Sequence, residues 1–380
     1  MATATVFPEQ PLPSWRRAVL KVGSSLLAAP GGGLSAKHAL PLAQFVASQM
    51  LAGREMVIVS SGAVAAGRAI LPKVAETGSA MAARQALAAL GQVQLIALWQ
   101  RFFDRPVAQV LLTHDDLRNR RRFLNARATL QELLRLHTLP VVNENDTVSV
   151  DELKLGDNDN LAAHVAALID ADVLFIASDV KGLYDADPRS HPSARAIDLV
   201  VEITPAILAM AGGAGSAVGT GGMLTKVQAA AKAASAGIDT VLFDGTSASV
   251  LRGLEHDRLS GTRFAAGSTR LAARKHWLRH APVVAGAIVV DAGAARAVCE
   301  KGASLLPGGI VDVEGDFARG DIITIHCAQS DGSRPIARGI VQYAARDIRR
   351  IAHHHSDQIE IILGYNYGDN IVHRDDLVVG

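Results

Sequence analysis

Short apolar runs that end in glycine, serine or acid and amide side chains alternate with stretches of helical spacing along the first two thirds of the chain. Residues 18–22, 56–59, 107–111, 139–142, 173–177 and 240–243 read as strands. The run at 173–177, Val-Leu-Phe-Ile-Ala, has no polar alternation, which is the pattern of a parallel strand buried on both faces. Residues 37–51, 82–100 and 161–169 carry helical patterns between them. This order predicts a three-layer α/β/α sandwich around a mainly parallel sheet. Beyond Gly286 the texture changes to short alternating strands, such as 287–291 and 321–326, separated by glycine and proline turns. A small, mostly β domain is expected there. The division predicted is a loose tail at 1–13, an α/β domain at 14–260, a basic, alanine-rich linker at 261–284 and the β domain at 285–380.

The strand ends hold the candidate chemistry, because open α/β sheets bind ligands beyond the carboxyl ends of their strands. Lys21 sits in the first apolar run, just before Gly23-Ser24-Ser25. Such a turn lets backbone and hydroxyls approach a phosphate with the ammonium as counter-charge, although a lysine there also suits an exposed edge. Ser60-Ser61-Gly62-Ala63 repeats the design: it is either a tight connection or a helix start whose N–H groups attract a carboxylate or phosphate. Asn143-Glu144-Asn145-Asp146 follows the strand at 139–142, and Gly156-Asp157-Asn158-Asp159-Asn160 precedes the helix at 161–169. One such residue suffices for an N-cap, so the surplus points to a site. Residues 147–154 between the clusters are long enough for a hairpin or flap, which would turn both clusters toward one cleft. Ser178 and Asp179 end another strand, where Asp179 could meet a ribose or a charged partner. Residues 212–226 form a glycine-rich run that opens a helix with Thr225 and Lys226. A flexible linker has no need of that ending, whereas a backbone wrapped around an anion does. The Gly-Lys-Ser/Thr of a P-loop is absent.

Length, charge and cysteine use narrow the picture. A chain of 380 residues fits two domains, and a net charge of +1 draws it to neither nucleic acid nor an anionic membrane. Cys299 and Cys327 offer no disulfide framework and no metal-ligand spacing, so a reducing cytoplasm is the expected setting. No segment approaches the length of a membrane span, and the N-terminal residues lack the apolar run of a signal peptide. The basic run 118–122 is expected to be a solvated helix face or an oligomer contact. His353, His354 and His355, read as alternating along a strand, would not converge on one ion.

Taken together and in order, Lys21 to Ser25, Ser60-Ser61-Gly62, Asn143 to Asp146, Gly156 to Asn160 and Gly219-Thr220-Gly221-Gly222-Met223-Leu224-Thr225-Lys226 resemble the glutamate-phosphorylating members of the amino acid kinase superfamily. Gly302 to Pro307 and Val372 to Asp376 resemble the PUA domain appended to bacterial members. The resemblance implies the amino acid kinase fold, a PUA-like tail and ATP-dependent phosphorylation of the γ-carboxylate of L-glutamate, the first step of proline biosynthesis. Lys21 and Lys226 would then stabilise the transferring phosphoryl, with Asp159 holding both. Lys21, Gly23, Ser178, Asp179, Thr220, Gly221, Gly222, Met223, Leu224, Thr225 and Lys226 would bind ATP. Ser61, Gly62, Asp146 and Asn158 would bind the amino acid. The resemblance also implies Mg2+ without a protein ligand, a homodimer or homotetramer, proline as feedback inhibitor and contact with the next enzyme of the pathway. Ser24, Ser60 and Ser178 stand where the family usually has threonine, and Ala217 where glycine is common; each keeps a small side chain.

Two other readings belong to the same fold. An aspartokinase usually ends its first strand in Lys-x-Gly-Gly-Ser/Thr, and the second glycine is missing here. A kinase of N-acetylglutamate has no ammonium for Asp146 to bind. An RNA-binding protein is the rival of another class, since PUA domains occur on RNA-modifying enzymes. Residues 285–380 carry 9 Lys and Arg against 13 Asp and Glu, a net charge of −4, where RNA binding calls for a basic stripe.

Overall fold

The structure is a computed structural model that describes residues 6–72, 81–149, 158–212, 222–280, 283, 286–329 and 332–380. The chain forms two compact units, residues 1–269 and 270–380. The described strands of the first are β1 (Glu9–Pro11), β2 (Arg17–Val22), β3 (Glu55–Ser60), β4 (Val107–Leu112), β5 (Leu139–Glu144), β6 (Val173–Ser178), β7 (Leu183–Tyr184), β8 (Ala196–Ile197), β9 (Leu199–Val200), β10 (Asp239–Asp244) and β11 (Arg258–Phe264). Its described helices are α1 (Ser24–Leu27), α2 (Ala36–Leu51), α3 (Ala63–Ile70), α4 (Met81–Gln100), α5 (His114–Arg118), α6 (Arg120–Arg135), α7 (Asn158–Leu168), α8 (Pro205–Ala211), α9 (Met223–Ser235) and α10 (Ala248–Glu255).

The main sheet runs β1-β11-β10-β6-β2-β3-β5-β4, and β9 pairs with β11. The six strands from β10 to β4 are mutually parallel; β11 is antiparallel to β10, and β1 to β11. From β2 the chain moves outward on one side through β3, and it returns at β6 on the other side. The crevice between β2 and β6 is therefore the topological switch point, the place where such sheets bind ligands. Alternation along each strand splits the core in two. Ala18, Leu20 and Val22 of β2 join α2 and α10 on one face, and Val19 joins α7 and α9 on the other. Phe175 is fully buried and meets Trp15, Phe45 and Phe243 edge-on. Each such side chain contributes about 1.5–3 kcal/mol by leaving water.

Helices α3 and α4 approach closely at two glycines. A Cβ on Gly91 would lie 1.8 Å from the Ala63 carbonyl oxygen, and one on Gly67 would lie 1.9 Å from that of Leu87. Gly91→Ala must push the helices apart. It is expected to destabilise the protein by about 1–3 kcal/mol, in the range of core overpacking, and to shift the start of α3. Denaturant titration of the variant measures the first effect, and an unchanged midpoint would mean that the helices can separate freely.

The N-terminal stretch differs from expectation. Phe7 and Leu12 are buried, and Glu9–Pro11 pairs with β11, Gln10 opposite Leu259. Pro8, Pro11 and Pro13 suggest a tail, but an edge strand tolerates a missing N–H, and Gln10 fastens it by donating from Nε2 to the Asp198 carbonyl at 2.8 Å.

The second unit contains β12 (Gly286–Val290), β13 (Ile310–Gly315), β14 (Ile322–Gln329), β15 (Gly332–Ile340) and β16 (Leu377–Val379) in the order β13-β12-β14-β15-β16. Its described helices are α11 (Arg270–His280), α12 (Ala292–Cys299), α13 (Ala345–Ile351) and α14 (Ile359–Leu363). The expected linker at 261–284 does not exist as a unit, since Gly261 to Phe264 lie within β11 and α11 packs on this second sheet. Leu278 is fully buried with Ile322, Ile340 and Val378, and Arg274 forms an ion pair with Asp376. Including α11 changes the electrostatics, because Arg270, Arg274, Lys275 and Arg279 bring the unit from −4 to neutral. His353 to His355 lie past the end of α13 rather than on a strand, with His353 at φ 65°. Among the described residues, no helix is long and apolar enough to cross a membrane.

Candidate active site

Strand periodicity places Lys21 on the same side of β2 as Val19, facing α7 and α9. Those helices bring Asp159 and Lys226 to meet it. The Lys21 Nζ lies 2.5 Å from Asp159 Oδ1, and the Lys226 Nζ lies 3.1 Å from Oδ2 of the same carboxylate. Asp159 is fully buried, while Lys21 and Lys226 are 4% and 5% exposed. Thr225 Oγ1 donates to Asp159 Oδ2 at 3.0 Å. One carboxylate thus sits between two ammonium groups, an arrangement that is costly to bury.

Backbone donors complete this end of the cleft. Helix α9 is N-capped by Gly222, which makes no side-chain cap hydrogen bond, and the first N–H groups of such a helix start suit phosphate oxygens. Gly23 precedes α1, and a Cβ placed on it would contact Lys21 Nζ at 3.5 Å. Across the switch point Ser178 is buried at the end of β6 and donates from Oγ to Asp179 Oδ1 at 3.3 Å, leaving Asp179 exposed at the mouth.

The other end is built from amides and a hydroxyl. Gly62 adopts φ +116°, which reverses the chain after β3 and starts α3; a side chain there would be strained and would crowd Leu34. Asn158 Nδ2 donates to Ser61 Oγ at 2.6 Å and to Asn143 Oδ1 at 3.0 Å. Asn143 Nδ2 donates to Gln92 Oε1 at 2.8 Å. Ser60, fully buried beneath, accepts from Trp99 Nε1 at 2.9 Å. Asp146 lies past β5, and its carboxyl is pushed up to about 6, first by burial and next by the charge of Glu144, against a smaller opposing effect of Arg84.

The structure therefore joins Lys21, Asp159, Thr225 and Lys226 in one cluster, and Ser61 with Asn158 in a second. Asp146 is hydrogen-bonded to neither. Met223 and Leu224 are at the start of α9, with Leu224 exposed. Gly156, Asp157, Thr220 and Gly221, the 150–154 part of the expected flap and residues 213–221 of the glycine-rich run lie outside the described residues. The described part of α7 runs from Asn158, three residues before the predicted apolar run, so Asn158 and Asp159 are helical residues. Sequence reasoning missed Gln92 and the individual role of Asn143. The available signal was a glutamine at the spacing of Leu87, Ala88, Gly91, Leu95 and Trp99, the buried face of α4.

A buried carboxylate clasped by two lysines at the switch point, beside the N-terminus of α9, suits a phosphotransferase of anionic substrates. The amino acid kinase family pattern matches residues 16–244, and the PUA domain pattern matches residues 286–363. A glutamate 5-kinase of Xanthomonas campestris pv. campestris is 73% identical over 361 residues, 95% of this chain and 100% of that protein. A glutamate 5-kinase of Xanthomonas oryzae pv. oryzae is 72% identical over the same shares. One of Xylella fastidiosa is 69% identical over 374 residues, 98% of this chain and 97% of that protein. The chain belongs to the amino acid kinase family and, within it, to the glutamate 5-kinases.

Proposed function

We propose that the chain transfers the γ-phosphoryl group of ATP to the γ-carboxylate of L-glutamate, yielding L-glutamyl 5-phosphate and ADP, the first step of proline biosynthesis. The observation that carries the reading is the clasp of Lys21 and Lys226 around Asp159, beside the start of α9. A carboxylate oxygen of glutamate attacks the γ-phosphorus as the bond to the β,γ-bridging oxygen breaks, and ADP leaves with that electron pair. The nucleophile is already ionised, so the site supplies alignment and charge stabilisation rather than a base. Lys21 and Lys226 stabilise the equatorial oxygens of the transferring group, and Asp159 fixes both ammonium groups. Gly23, Ser178, Asp179 and the 220–226 segment take the nucleotide.

Magnesium supplies charge neutralisation on the nucleotide phosphates. Among the described residues no cluster of three His, Cys, Asp or Glu side chains could hold a metal, and both oxygens of Asp159 are engaged by lysines.

For the amino acid, Ser61 and the α3 start at Gly62 receive a carboxylate, while Asp146 and Asn158 receive the α-ammonium. The carboxyl of Asp146, pushed up to about 6, is neutral below that pH and ionised above it. Only the ionised form attracts an ammonium. The expected result is a kcat/KM for glutamate that is flat near pH 7.5 and falls about tenfold per pH unit below that pKa. Asp146→Asn would remove this inflection along with most of the affinity, and an unchanged acid limb in that variant would assign it to another group. The substrate test compares ADP release with L-glutamate, L-aspartate, N-acetyl-L-glutamate and glutarate. Turnover of glutamate alone supports the reading; equal turnover of N-acetyl-L-glutamate or glutarate would remove the ammonium requirement. Proline presents the same carboxylate and ammonium pair without the reacting arm, so it is a competitive ligand of these groups in this reading.

A further inference from the structure

Glutamine, asparagine and serine side chains in contact can be wired in either of two directions, since each amide offers a donor at one end and an acceptor at the other. The chain Gln92, Asn143, Asn158, Ser61 has one observed direction: Gln92 Oε1 accepts from Asn143, Asn143 Oδ1 accepts from Asn158, and Ser61 Oγ accepts from Asn158. Both protons of Asn158 Nδ2 are used in this way. The atom Asn158 has left for a ligand is its carbonyl oxygen, which suits an ammonium. The Ser61 hydroxyl accepts along the chain, and its own proton remains for a carboxylate. Reversing every amide would present an Asn158 donor to the ammonium and would consume the Ser61 proton internally. Only the observed direction matches a substrate carrying both charges.

At the far end Gln92, 8% exposed, accepts from Asn143 through Oε1, and its Nε2 has no hydrogen-bond partner among the described residues. Its neighbour Gly91 is the residue packed against the Ala63 carbonyl at the start of α3, and Trp99 on the same helix holds Ser60. One face of α4 thus packs against the start of α3, holds Ser60 beside Ser61 and supplies the acceptor at the end of the amide chain.

We infer that Gln92 is a positioning residue for the amino acid: by accepting from Asn143 it orients Asn158 as an acceptor for the α-ammonium and frees Ser61 as a donor to a carboxylate. This rests on the reading that Ser61 and Asn158 take the amino acid. Gln92 itself does not touch the substrate in this account, so its removal acts through the orientation of others.

The test is steady-state kinetics of the full-length protein with Gln92→Met, which conserves volume and removes the acceptor, and Gln92→Glu, which offers acceptor oxygens only. Gln92→Met is expected to raise the KM for glutamate about tenfold or more, the effect of losing an oriented hydrogen bond to a charged group, with the KM for ATP within twofold. Gln92→Glu is expected to keep the glutamate KM within about threefold, because an acceptor toward Asn143 preserves the direction. A glutamate KM unchanged in Gln92→Met, equal rises for glutamate and ATP, or a Gln92→Glu as impaired as Gln92→Met would each overturn the inference. If Gln92→Met does not fold, Gln92→Glu decides alone: an elevated glutamate KM contradicts the inference and a retained one supports it. Ser61→Ala separates the two levels of the argument. No effect of Ser61→Ala on the glutamate KM removes the assignment of the amino acid site, whereas an effect of Ser61→Ala without one of Gln92→Met removes only the role of Gln92.

Discussion

Replacing Asp159 by asparagine is expected to cost about 3–5 kcal/mol of stability, the range found when one partner of a buried ion pair is removed. Asparagine keeps the shape but offers one carbonyl oxygen where two are used, and its NH2 group then points at an ammonium. Lys21 and Lys226, both nearly inaccessible to water, lose their shared counter-charge. For a domain of this size the loss corresponds to a fall in Tm of about 6–20 °C, measurable by calorimetry. The double variant Lys21→Met with Asp159→Asn should be more stable than Asp159→Asn alone, because it removes the buried Lys21 ammonium that loses its ion pair. A Tm for Asp159→Asn within 2 °C of the parent would contradict the burial argument, as would a double variant less stable than the single one.

Lys226→Met is expected to lower kcat by about 10²–10³, the scale of losing one preorganised donor to developing charge, with the KM for glutamate little changed. The split between the two constants matters here. Lys226 lies on α9 and forms an ion pair with Asp159, which belongs to the same helix as Asn158. Its removal should therefore be felt in the transition state for phosphoryl transfer. A rise in the glutamate KM with kcat intact would reassign it to uniform binding.

Much of this was legible in the order of apolar runs and strand-end residues. The run 173–177 gave away β6 because both faces of a parallel strand are buried, and Lys21 interrupting β2 marked the one place where that burial yields to charge. Asp159 stood out through the surplus of polar residues near the helix start. What the sequence did not disclose was that Asp159 lies within α7, so that an apparent cap is the buried centre of an ion cluster. Helix starts depend on which orphan N–H groups find partners, and residue type alone does not decide that. Gln92 was invisible for a different reason: a polar residue on an apolar face acquires meaning only from its partner, and Asn143 is 51 residues away in the chain. The N-terminal strand and α11 were misread because proline-rich and arginine-rich textures resemble tails and linkers until a sheet edge or an acidic partner such as Asp376 is seen beside them. The consequence for electrostatics is direct, since the second unit is neutral once α11 is counted.

The product that defines this reaction is an acyl phosphate of glutamate. Incubating the purified protein with ATP, Mg2+, L-glutamate and hydroxylamine, and measuring the hydroxamate, traps that product before it cyclises or hydrolyses. The prediction is hydroxamate in amount equal to the ADP released, and none with Lys226→Met at matched protein concentration beyond the residual rate given above. ADP release without hydroxamate would show that water or another group receives the phosphoryl, and would contradict the assignment of the glutamate γ-carboxylate as acceptor.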